Sequence, residues 1–113
     1  MIQIYYKDAG GELLVDMKGH GDLANMEELD VMCAATTALT NTLAINVSSA
    51  EACKMLECEP TLYIGDDGEG KARVLAKPLA EYYPTLRTVF TTVVNGFRML
   101  SSLYPDHVAL VVE

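Results

Sequence analysis

The chain is 113 residues long and half apolar, with 16 acidic residues against 8 basic ones and a formal net charge of −8. That length predicts one domain, spanning 1–113, with chain enough for a hydrophobic core, and the apolar share excludes wholesale disorder. The acidic balance opposes nonspecific binding to nucleic acid, whose phosphates call for a basic face, so no direct nucleic-acid contact is expected.

Two short strands open the sequence. Ile2, Ile4 and Tyr6 alternate with polar neighbours, Asp8-Ala9-Gly10-Gly11 turns the chain, and Leu13, Val15 and Met17 alternate again up to Gly19. A loop is expected from His20 to about Leu29. Asp30 is the predicted N-cap of a helix reaching about Glu57, with Leu39, Leu43, Val47 and Ala50 lining one face. Pro60 blocks continuation. A second hairpin follows, with Leu62 and Ile64 in one strand, a Gly-rich turn over 65–70, and Ala72, Val74 and Ala76 in the other. Pro84 suits the first turn of a second helix, whose face carries Leu86, Phe90, Val93, Phe97 and Leu100 and which ends before Pro105. Val108, Leu110 and Val112 form a last strand. The order ββαββαβ predicts an α/β fold: a two-layer sandwich with two helices packed on one mainly antiparallel sheet.

Residues 31–50 carry no charge, yet their threonines, asparagines and serines are too polar for a lipid-solvated span, so no membrane partner is expected. Between Tyr82 and Pro105 only Arg87 and Arg98 are ionised. Helices this poor in charge predict a second covering surface, most simply another copy of the chain in a homodimer. Thr40 and Thr92 are the positions expected to lie on that surface, with a solvated Thr- and Ser-rich face as the alternative.

The three cysteines, Cys33, Cys53 and Cys58, cannot all pair within one chain and form no C-x-x-C. The segment MIQIYYKDAG holds no apolar run of the length a secretory leader needs, and a reducing cytoplasm is the expected compartment. Cys53 and Cys58 match no zinc spacing, and no metal site is expected. Asp66, Asp67 and Glu69 among glycines read as a hairpin turn rather than a calcium loop. Gly65, Gly68 and Gly70 lack the lysine of a phosphate loop. His107 reads as a solvated turn residue, and Tyr82 and Tyr83 as packing at a helix start.

One constellation can carry chemistry. His20 lies just past the second strand, and Cys33 lies three residues after the predicted cap, so both belong near one edge of the sheet. A first-turn Cys33 would feel unpaired N–H groups and the positive end of the helix dipole, which favour the nucleophilic thiolate. His20 could take the thiol proton and return it to a leaving amine. Asp30 has two readings: a cap on the N–H of Cys33, or a carboxylate that orients the imidazolium. Cys33 also reads as a small core residue in an Ala-rich helix.

Gly19-His20, a loop, then Asp30-Val31-Met32-Cys33-Ala34-Ala35-Thr36-Thr37-Ala38-Leu39 resembles the ribosomal-processing cysteine protease (Prp) family, whose pattern is a GH pair followed by D-x-V-C-A. Chain length and element order fit the same family. The resemblance implies a cytoplasmic, dimeric cysteine endopeptidase without a cofactor. Its His20–Cys33 dyad would remove a short N-terminal extension from a large-subunit ribosomal protein, cutting after a bulky apolar residue and before a small one. It also implies a mobile, substrate-responsive loop, here holding Gly21, Asp22, Asn25, Glu27 and Glu28. Met32 stands where the family usually has Val, Thr37 where it often has Ser, and Glu27-Glu28-Leu29 where it usually has a Gly. The competing class is a non-catalytic dimeric interaction module whose Cys33 is simply buried.

Overall fold

Alternation gives the first strand, β1 (Ile2–Ala9), one dry side: Ile2, Ile4 and Tyr6 are buried while Gln3 and Lys7 are exposed. In the computed structural model of the chain, residues 1–19, 26–65 and 70–113 are described, 26–30 by their backbone alone. β2 (Glu12–Lys18) and β4 (Lys71–Ala76) bury Leu13 and Val15, and Ala72, Val74 and Ala76, on the same side. β3 (Thr61–Ile64) and β5 (Val108–Val112) complete a five-stranded sheet in the order β3-β4-β2-β1-β5. Every neighbouring pair is antiparallel except β1–β5, which is parallel. The two helices, α1 (Met26–Ala52) and α2 (Tyr83–Leu103), cover the dry side, so the ββαββαβ sandwich expected from the pattern is the fold.

All five apolar positions expected on the inner face of α2 are buried, and Pro84 lies in its first turn. Tyr82 and Tyr83 pack against the core at the start of that helix, as expected. An added Cβ at Gly96 would stand 2.8 Å from the Leu39 side chain, so the helices approach closely there. Tyr6 stacks on Phe90 at a centroid distance of 6.4 Å, and burial pushes its phenol pKa up. Asp8 and Arg87, 2.9 Å apart, tie the end of β1 to the start of α2.

The other side of the sheet is not covered by the helices. Register sets Tyr63, Arg73, Asp16, Tyr5 and Val111 in one row across it. Lys7, Lys18, Lys71 and Arg73, half of the chain's 8 basic residues, lie on this face. The Tyr5 hydroxyl donates to the Glu113 carboxylate, a bond that deprotonation would destroy, and this holds the phenol pKa above its usual value.

Several expectations are corrected. The first helix begins at Met26, so Glu27, Glu28 and Asp30 are helical and Asp30 is not its N-cap. Glutamates in a first turn complement the positive end of the helix dipole, which favours this earlier start. At the other end the helix stops at Ala52 rather than near Glu57. Lys54 takes a left-handed φ of 60°, while the Met55 N–H donates to the Ala50 carbonyl and the Lys54 N–H to that of Glu51, both at 3.0 Å. This is a Schellman closure with lysine where glycine is usual. Thr40 is 1% exposed and faces the sheet, not a partner; Thr92 is exposed as expected. His107 is half-buried rather than solvated, its carbonyl accepting from the Ile2 N–H at 2.8 Å. The turn residues Asp66, Asp67, Gly68 and Glu69 lie outside the described residues.

The left-handed backbone at Lys54 generates a prediction. Lys54→Gly relieves the Cβ crowding of that conformation and outweighs the added freedom of the unfolded chain, for a net stabilisation of about 0.5–1 kcal/mol. Chemical denaturation at equilibrium should show the midpoint rise, whereas Lys54→Val should lower it.

Candidate active site

β2 releases the chain at Gly19, and only glycine fits there. Its φ is +105°, its N–H donates to the Gly70 carbonyl at 2.8 Å, and a Cβ would stand 2.2 Å from the Met1 carbonyl oxygen. This fixes the direction in which the chain leaves toward His20. His20 itself, with Gly21, Asp22 and Asn25 of the expected substrate loop, lies outside the described residues. Glu27 and Glu28 belong to the first turn of α1 rather than to a loop.

α1 returns over the sheet from that same end. The Thr40 hydroxyl lies 3.8 Å from the Met17 sulfur, near the end of β2. Cys33 is seven residues closer to the helix start, about 10 Å along the axis at 1.5 Å per residue. Cys33 therefore belongs to the sheet end at which Gly19 exits. It is half-buried and unpaired with another cysteine. Met32, beside it, is fully buried and anchors this turn in the core.

The earlier helix start changes the electrostatics of Cys33. As the eighth residue of α1 it lies beyond the first turn, where N–H groups are unpaired and the dipole is felt. The helix end therefore does not supply at Cys33 the activation expected of a first-turn position. The neighbouring threonines are structural: Thr36 Oγ1 donates to the Met32 carbonyl at 2.8 Å and lies 3.3 Å from that of Cys33, and Thr40 Oγ1 donates to the Thr36 carbonyl at 2.7 Å. Back-bonding of this kind lets polar residues occupy the buried side of a helix.

Cys53 and Cys58 are both exposed, at the far end of α1 and in the segment after it. Among the described residues no group of three His, Cys, Asp or Glu side chains could hold a metal ion. No described helix is long and apolar enough to cross a membrane. A hollow of about 400 Å³ lies on the uncovered side of the sheet, against Gln3, Tyr5, Asp16, Lys18 and Val111, away from Cys33.

A family model described as cysteine protease Prp matches residues 1–109. No curated protein shows significant sequence similarity to the chain. Among solved structures, SMU.848 from Streptococcus mutans is 21% identical, with a TM-score of 0.67 over 99% of this chain and 93% of that one. The essential ribosomal processing protease Prp from S. aureus, in complex with a covalently linked product peptide, is 16% identical with a TM-score of 0.65 over the whole of both chains. The same protease with a substrate peptide gives 15% and 0.62, again over the whole of both. At these identities the structures show a shared fold.

Exposure and activation predict opposite orders of thiol reactivity. Cys53 and Cys58 are exposed and Cys33 is half-buried, so access alone would make Cys33 the slowest to alkylate. If Cys33 is the nucleophile, mass-spectrometric timing of iodoacetamide labelling at neutral pH should find it fastest despite its burial; labelling slower than Cys53 and Cys58 would mark it as a buried core residue.

Proposed function

The chain belongs to the Prp cysteine protease family, and from that premise we propose that it is a ribosomal-protein-processing endopeptidase acting through a Cys33–His20 dyad. The observation that carries this reading is the family match over residues 1–109, which takes in Gly19-His20 and Asp30-Val31-Met32-Cys33-Ala34. The half-buried Cys33, at the sheet end where Gly19 releases the chain, supports it.

In this mechanism His20 accepts the Cys33 thiol proton, and the thiolate attacks the scissile carbonyl carbon. The tetrahedral intermediate collapses to a thioester as His20 protonates the departing amine. Water, deprotonated by His20, then hydrolyses the thioester, releasing the new carboxylate and restoring the thiol. Of the two roles open to Asp30, capping falls away because the residue is inside α1. Orientation of the imidazolium is the role proposed for it. The substrate is the N-terminal extension of a large-subunit ribosomal protein, processed in the cytoplasm, and Gly21, Asp22 and Asn25 are the residues proposed to meet it. The S. aureus protease bound to product and substrate peptides supports a peptide ligand for the same fold.

Cys33→Ala and His20→Ala should each abolish cleavage, and the double variant should be no worse than either single one, because a dyad fails when one member is missing. Melting temperatures of the variants should stay near the native value. Cys53→Ala and Cys58→Ala should cut normally. Cleavage by Cys33→Ala protein would overturn the protease mechanism and favour the interaction module.

The homodimer belongs to the same proposal. Residues 31–50 of α1 carry no charge, and Val31, Ile45, Met99 and Leu103 are 55%, 66%, 56% and 64% exposed on the two helices. Apolar side chains on neutral helix surfaces are the composition that a second copy covers. Sedimentation equilibrium at tens of micromolar should give a dimer, and Ile45→Lys should shift it toward monomer. A native monomer at that concentration would remove the dimer from the reading.

A further inference from the structure

β3 is a short edge strand whose own residues carry none of the charges or prolines that commonly blunt an edge. Its sequence, Thr-Leu-Tyr-Ile, has no charge and no proline, and Leu62, Tyr63 and Ile64 are 37%, 44% and 37% exposed. Natural edges are normally blunted by such residues because they invite pairing with another chain. α1 packs over β4 and buries Ala72 and Val74, whereas all four residues of β3 beyond it stay exposed.

The register tells which main-chain groups face outward. The Gly65 N–H donates to the Lys71 carbonyl at 2.7 Å, making these two a hydrogen-bonded pair. Pairs alternate along an antiparallel ladder, so Tyr63–Arg73 is also hydrogen-bonded, and Leu62–Val74 and Ile64–Ala72 are not. The N–H and C=O groups of Leu62 and Ile64 therefore point away from the sheet. Their side chains lie on the helix side, level with buried Val74 and Ala72, and form an apolar shelf beside α1.

The end of this edge is level with the end of β2. β3 is parallel in direction to β2, since each is antiparallel to β4, so it ends where β2 releases the chain at Gly19. We propose that the outer edge of β3 is the substrate-docking strand: an extended peptide adds as a sixth strand, bonded to the main chain of Leu62 and Ile64. Alternate apolar side chains of the peptide rest on the shelf those residues form. The occupant is a peptide rather than a second copy because the edge is continuous with the end of the molecule that carries Cys33. A cysteine protease must hold its substrate extended across that point. The inference rests on the proposed placement of the reaction at Cys33, but its test reads affinity rather than cleavage.

The probe is a fluorescein-labelled short peptide that the native protein cuts, titrated into Cys33→Ala protein and followed by anisotropy. N-methylation of the peptide backbone at every second residue should weaken binding by about tenfold or more in one phase and leave it unchanged in the other. Leu62→Pro and Ile64→Pro remove outward N–H groups without touching the β4 ladder, and proline is tolerated at such edge positions. Each should raise Kd and KM by about tenfold while kcat stays within about threefold. Leu62→Ala, which keeps the N–H, should have the smaller effect. Equal affinity for both N-methyl phases, or native affinity in proline variants that melt normally, would overturn the proposal. So would proline variants that lose dimerisation but not peptide affinity, which would assign the edge to a second copy. Cleavage by Cys33→Ala protein would instead sink the nucleophile assignment and leave the affinity measurements to decide the docking strand.

Discussion

Burial of Met32, Leu43, Val47 and Ala50 in the common core holds α1 on the sheet, and two local contacts mark where it lies. Leu39 closes on Gly96 of α2, where the missing side chain lets the helices approach, and Thr40 meets the sulfur of Met17 at the end of β2. The first contact marks the close approach of the two helices and the second that of the helix to the end of β2. Met32, Thr36, Thr40, Leu43, Val47 and Ala50 then follow one another along the buried side at helical spacing. Cys33, next to Met32, takes its depth from them: half-buried, one position round from a fully buried anchor. A reactive thiol needs such a compromise, since full burial raises the cost of the thiolate and full exposure gives it no fixed direction.

The strands β1, β2 and β4 and the inner face of α2 were legible because their apolar residues repeat at periods of 2 and 3.6 and nothing local contradicts the pattern. The ends of α1 were not. Asp30 is a good cap by residue type, but Glu27 and Glu28 serve a first turn equally well, and only the backbone distinguishes the two starts. The C-terminal end hides for a related reason: the left-handed position is filled by Lys54, with no glycine to mark it. Thr40 misleads by polarity, because its hydroxyl is satisfied by the Thr36 carbonyl and so costs little to bury. The candidate site divides in the same way. Gly19 and Cys33 are readable from motif and spacing, but the depth of Cys33 in its helix follows from the start at Met26.

The uncovered side of the sheet gives the molecule an uneven surface. Lys18 and Lys71 face each other across β2 and β4, and Arg73 stands beside Asp16 in the next row but one. Half of the basic residues thus share one side with Glu12 and Asp16, while the chain's total is −8.

The parallel pair β1–β5 joins Ile2 to Val108 and Tyr6 to Val112, partners more than a hundred residues apart. The antiparallel pairs β1–β2 and β3–β4 are hairpins that local chain alone can form. Closing so large a loop costs entropy that is recovered only when nearly everything between the partners is already in place. The β1–β5 pairing therefore depends on the rest of the chain being in place, and its loss would uncover one side of β1, the strand beneath α2.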